Sequence, residues 1–140
     1  VGITITAEIS MTRKYAFGKT VDLTYADALT RVTDALAKEG FGVLTEIDVA
    51  ATLKKKLGKD MPPYKILGAC NPQFADRALE VEPQIGALLP CNVVVRVDAS
   101  GRTVVEAMDP QAVMDLVGRA EIGAIAAEVR ARLERVIAAL

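Results

Sequence analysis

Ile122, Ile125, Ala126, Val129, Leu133, Val136, Ile137 and Leu140 recur three or four residues apart at the end of the chain. That spacing gathers them on one stripe of a single helix, with Arg130, Arg132, Glu134 and Arg135 on its other faces. A helix so patterned must bury its stripe against a sheet, or against a partner subunit. The preceding sequence therefore has to supply that surface.

Strand-like segments do recur upstream. Tyr15 to Leu23 reads as a first strand, with Gly18 marking a bulge. Thr24 then caps a helix with Asp27 three residues on, and Tyr25, Ala28, Leu29, Val32 and Leu36 form its apolar stripe up to the stop at Gly40. Phe41 to Ile47 is a second strand, and Asp48 caps a lysine-rich helix that ends at Gly58. Pro62 and Pro63 force an extended turn before a third strand, Tyr64 to Cys70. Asn71 and Pro72 are an N-cap and a first helical residue, and the helix they open ends before Pro83. Cys91 to Asp98 and Thr103 to Met108 are β-branched runs joined by a short glycine-containing loop, the signal of a hairpin. Asp109 and Pro110 open a short helix that ends at Gly118.

The 140 residues suit one domain. A chain of that length buries roughly two-thirds of its unfolded surface, so it needs neither disulfides nor metal to fold. With 51% hydrophobic residues, only 4% aromatic and no Trp, the core has to be aliphatic. Seventeen basic against eighteen acidic residues give a net charge of -1. This balance argues against a nucleic-acid partner and against whole-molecule attraction to an anionic membrane. No apolar run reaches the roughly 18 residues of a membrane span. Two cysteines are too few for a disulfide framework, and no signal-peptide pattern opens the chain, so the expected location is cytoplasmic with reduced thiols. Val1 is not an initiator, and Met11 is an alternative start. Residues 1–13 are read as an N-terminal appendage to a single domain over residues 14–140.

Histidine is absent. Its absence removes His-dependent triads, Cys–His dyads, His-ligated zinc and proximal-His haem together. No cofactor is predicted.

The remaining chemistry centres on thiols. Cys70 closes a strand just ahead of a proline-led helix, whose partial positive terminus favours a thiolate. Alternation gives a rival account: Tyr64, Ile66, Gly68 and Cys70 share one face of their strand, Cys91 shares one with Val93, Val95 and Val97, and both thiols then serve as small core hydrophobes. The pairs Cys70-Asn71 and Cys91-Asn92 repeat one placement at strand ends. If the two strands are neighbours, the sulfurs can meet, and with Met61 or Met108 they suit Cu(I) better than zinc. A sulfur carrier would need only Cys70 as an exposed thiolate.

Lys54, Lys55, Lys56, Lys59 and Lys65 form a basic cluster that can hold an anion, although successive helical lysines diverge by about 100° and suit a solvated face. Glu46 and Asp48 alternate onto one face of the second strand, with Glu106 on the last strand, and paired carboxylates can divide acid and base work. Asp48 also has its capping duty. Gly40-Phe41-Gly42 follows a helix and enters a strand, the reverse of a dinucleotide loop.

Four blocks, FGKTVDL, GFGVLTEIDV, PYKILGACNP and LLPCNVVV, fall in register between Phe17 and Pro110. In these the chain resembles the bacterial and archaeal domain-of-unknown-function family 302. The resemblance implies an α+β fold: a curved antiparallel sheet backed by helices, in a TATA-binding-protein-like layout, paired as a homodimer. It implies no reaction.

The combined expectation is a small dimeric protein that binds a ligand or partner in a pocket between sheet and helices, and that is a binding module more than an enzyme. Gly68, Cys70, Asn71, Cys91 and Asn92 are the residues expected at that pocket, with Glu46, Asp48, Lys54 and Lys65 as further candidates. Two alternatives stand beside it: a thiol protein handling sulfur or a soft metal through Cys70 and Cys91, and a carboxylate enzyme using Glu46 and Asp48.

Overall fold

The computed structural model describes residues 14–140, so Met11 and the appendage over residues 1–13 lie outside the described residues. The strands are β1 (Ala16–Val21), β2 (Gly42–Asp48), β3 (Tyr64–Cys70), β4 (Cys91–Val97) and β5 (Thr103–Met108). The helices are α1 (Tyr25–Lys38), α2 (Val49–Leu57), α3 (Pro72–Val81), α4 (Pro110–Met114) and α5 (Ala120–Ala138). The strands form one open antiparallel sheet in the order β1-β5-β4-β3-β2. This is the helix-backed antiparallel sheet that the resemblance implies.

One face of the sheet carries the core. Phe17, Leu67, Ala69, Val93, Val95, Val105 and Ala107 point to it and are almost fully buried. Ala28, Val32 and Leu36 of α1 meet them there, as the α1 stripe requires. From α5, Ile122, Ile125, Ala126, Val129, Leu133, Val136 and Ile137 are all buried in the same cluster. The terminal stripe is thus satisfied within a single chain and does not wait for a partner. It cannot serve as the reason for a dimer.

The α5 arginines, assigned by sequence only to its other faces, fasten the helix at its middle and along its C-terminal half. Arg130 pairs with Asp109, hydrogen-bonds Glu134 at 2.7 Å and lies over the Phe17 ring at 4.8 Å. Asp109 also caps α4, accepting from the backbone N–H of Gln111 and Ala112. One buried carboxylate therefore ties the end of β5, the start of α4 and the middle of α5. Further along, Arg132 Nη1 donates to the Glu39 carbonyl at 3.0 Å and Arg135 Nε to the Glu39 carboxylate at 3.0 Å, which closes the C-terminus of α1.

The β4–β5 hairpin forms where its loop predicts. Asp98 accepts from the side chain and backbone of Ser100 and from the backbone N–H of Arg102, while Gly101 takes the required positive φ of 84°. The hydrogen bond from the Ser100 hydroxyl, with help from the Arg102 backbone N–H, lowers the Asp98 carboxyl to about 2.

Two local expectations change. Gly18 marks no bulge: β1 pairs with β5 without interruption from Ala16 to Val21. It is glycine because a Cβ there would overlap the Val105 carbonyl and come within 2.7 Å of the Glu106 Cα. The irregularity lies in β2 instead, between Val43 and Thr45. Pro83–Leu88, which carries no clear periodicity, is a 3-10 segment that buries Ile85.

The two glycines give opposite predictions. Gly18→Ala should destabilise the fold by about 1–3 kcal/mol, because neighbouring backbone must move. At Gly42 a methyl group would meet nothing within 4 Å, so Gly42→Ala should stay within about 0.5 kcal/mol of wild type. Urea midpoints of the two variants check the contrast.

Candidate functional site

Antiparallel pairing sets Ala69 directly opposite Cys91, so β3 ends where β4 begins. The chain leaves β3 straight into α3, whose first residue is Pro72. It returns to β4 from the 3-10 segment through Leu89 and Pro90. These two passages, with α4 and α5, border a partly open cavity of about 50 Å³ at the strand ends. Its volume comes from small side chains: Ala69, Ala75, Ala78 and Ala126 face it. The bulkier lining includes Phe41, Phe74, Ile122 and Ile125.

Cys70, Asn71 and Cys91, three of the five residues expected at a pocket, line this cavity. Both thiols are free, Cys70 half-buried and Cys91 buried. Burial, reinforced by the nearby Cys70, pushes the Cys91 thiol up to about 11. At neutral pH Cys91 is therefore protonated, and by itself it is an inert thiol. Met114, at the end of α4, is a third sulfur-bearing residue in the cavity lining. Sequence reasoning points to Met61 or Met108, and neither lines it. No local signal marks Met114, because α4 reaches the strand ends only through its packing on α5.

Asn71 sits at the α3 N-cap position but makes no side-chain cap bond. Its amide instead donates to the Glu39 carbonyl at 3.4 Å, next to Gly40, where a Cβ would come within 2.9 Å of the Asn71 amide nitrogen. Arg132, which shares the Glu39 carbonyl, lies over the Phe74 ring at 5.2 Å. Its Nε is 3.4 Å from a Glu128 carboxylate oxygen but is not aligned to hydrogen-bond, and it has no other partner among the described residues.

Gly68 and Asn92 stand elsewhere. They pair with each other and belong to the opposite face of the sheet, with Asn92 exposed. Gly68 is required for packing, since a Cβ would overlap the Thr45 hydroxyl and sit 2.9 Å from Pro90 Cγ.

The carboxylate trio does not assemble. Glu46 and Asp48 do share a face, the one carrying the core, but on an edge strand where both are exposed. Asp48 is occupied in capping α2, accepting from the Ala51 N–H at 2.8 Å. Glu106 is on the other face, in a 2.7 Å pair with Arg96. Tyr25 registers Asp48 and Glu46: its hydroxyl pKa is raised by burial first and by these two charges second. The lysines do not converge on the cavity either. Lys54 pairs with Asp60 at 2.8 Å, and Lys65 lies opposite Asp48 in the β2–β3 ladder. Among the described residues, no three His, Cys, Asp or Glu side chains are grouped to hold a metal, and no helix is long and apolar enough to cross a membrane.

Comparison with known proteins agrees with this architecture. The family model described as domain of unknown function DUF302 matches residues 17–140, which takes in α5 as well as the four sequence blocks. The crystal structure of an uncharacterized conserved DUF302 protein from Bacillus stearothermophilus is similar, with 30% sequence identity and a TM-score of 0.83. The similarity covers 89% of this chain and 97% of that one. No curated protein matches the chain.

The state of Cys91 predicts an alkaline effect. An unfolded thiol loses its proton near pH 8.5, whereas the folded Cys91 holds its own to about 11. The unfolded chain therefore releases this proton first, and stability falls as pH rises from about 8.5 through 11. The loss should reach about 2–3 kcal/mol at the top of that window. In Cys91→Ala, urea midpoints between pH 8 and 11 should fall less steeply than in wild type.

Proposed function

The chain belongs to the DUF302 family, and from that premise we propose that it is a binding module that holds a small ligand in the strand-end cavity. The observation that carries this reading is the cavity itself: it is mostly apolar, with Asn71 the one amide side chain that lines it. Ligand sites commonly combine an apolar lining with few polar groups. Volume limits the guest. About 50 Å³ exceeds the 10–15 Å³ that a single water needs. It is far below the roughly 300–1,000 Å³ of pockets for drug-sized molecules. The fitting ligand is a small apolar molecule, a soft ion, or the tip of a longer apolar chain. Binding is favoured over catalysis because the carboxylates sit away from the cavity. A cytoplasmic location, where thiols such as Cys70 and Cys91 stay reduced, belongs to the same reading.

Xenon is a suitable probe for an apolar cavity. In NMR spectra of the protein under xenon pressure, the Met114, Ile122 and Ile125 methyl signals should shift. Ala75→Leu should abolish those shifts and, by filling space, raise stability by about 1 kcal/mol. Absence of xenon shifts in the wild type would overturn the ligand-binding reading.

Homodimerisation is the second part of the proposal. With the α5 stripe consumed internally, the supporting surface is the sheet face opposite the core. It offers Ile66 and Val94 half-buried, Ile47 at 49% exposure, and the Arg96–Glu106 pair. In sedimentation at micromolar concentration the wild type should run as a dimer and Ile47→Glu as a monomer. A monomeric wild type would sink the dimer.

A further inference from the structure

We propose that the strand-end cavity is a soft-metal site in which Cys70, Cys91 and Met114 together hold Cu(I). The proposal rests on the cavity reading above and names the ligand class. Three sulfur-bearing side chains from three separate elements, the end of β3, the start of β4 and the end of α4, line one space of about 50 Å³. The chain has four methionines and two cysteines in all, so this concentration of sulfur is not a by-product of a sulfur-rich sequence. Thiolates and thioethers select Cu(I) among the biological metals. Zinc is disfavoured, because structural zinc takes four ligands from Cys, His and carboxylates, and the cavity lining offers only two of these.

The reaction balances without any change of oxidation state. One Cu(I) displaces the protons of Cys70 and Cys91, two Cu–S bonds form, two protons leave to solvent, and the neutral Met114 sulfur completes the set. The complex carries one negative charge, which is costly in an apolar cavity unless it is offset. Two features offset it. The N-terminus of α3, with its partial positive charge, begins at Pro72, two residues beyond Cys70. The Arg132 guanidinium lies over Phe74, itself part of the lining. Half-buried Cys70 and Ala75 stand at the cavity where an ion would enter.

The test is an anaerobic titration of the full chain with Cu(I) in competition with a chromophoric Cu(I) chelator, run beside the xenon measurement. The expected result is one Cu(I) bound per chain, with loss of binding in Cys70→Ser and in Cys91→Ser. Met114→Leu, close in volume, should bind more weakly while its thermal unfolding and the xenon shifts at Ile122 and Ile125 persist. Xenon uptake without Cu(I) binding would overturn the metal site and leave the cavity reading standing. Failure of both would remove both. Cu(I) binding that survives Cys70→Ser, or that is unchanged in Met114→Leu, would place the ion elsewhere and overturn the three-sulfur site.

Discussion

Burial of the α5 stripe is the interaction on which the rest of the structure depends. Each large aliphatic side chain moved out of water contributes about 1.5–3 kcal/mol before entropy is counted, and α5 sets several of them against the sheet and α1. Hydrophobic burial has no direction of its own, so the position of the helix has to come from elsewhere. It comes from polar clamps. Asp109 and Arg130 hold the helix to the corner after β5, while Arg132 and Arg135 hold it to the last turn of α1. Removing either partner of the Asp109–Arg130 pair would leave a poorly solvated charge, which is more serious than losing a surface contact.

The cavity is a consequence of the same arrangement. Where α3 and α5 meet the strand ends, the facing residues are alanines, and four methyl groups cannot fill the space that larger residues fill elsewhere in the core. A packed interior normally leaves few voids larger than a water molecule. A cavity at the meeting point of several elements therefore stands out against an otherwise continuous core. Ala126 shows the local character of the effect: it belongs to the same buried stripe as Ile125 and Val129, yet its small size opens the cavity instead of closing it.

What the sequence reveals follows the range of the interactions involved. The α1 stripe, the Asp98–Arg102 hairpin and the caps at Thr24, Asp48 and Asp109 depend on residues within a few positions, and each forms as expected. Cys70 and Cys91 are legible as strand-end neighbours because consecutive antiparallel strands bring such ends together. Met114 is not, since its approach to the thiols depends on how α4 packs on α5. Gly68 and Asn92 fall beside the cavity residues in sequence, but they pair within the ladder on the other face, whereas Cys70 is the last residue of β3, where the chain turns into α3. Gly18 misleads for a related reason: a glycine in a strand signals either a bulge or a close backbone approach, and only the register distinguishes them.

The irregularity in β2 has an effect on how the molecule behaves in company. β2 is an outer strand, and its free backbone groups are a template on which another chain could polymerise. Between Val43 and Thr45 the ladder loses its regular step, so an incoming straight strand would find donors and acceptors out of phase. Glu46 and Asp48 add a charged barrier on the core side of the same strand. At this margin the lost step and the two carboxylates work against edge-to-edge growth of a valine-rich sheet, and the residue that sets the strand out of step is Leu44.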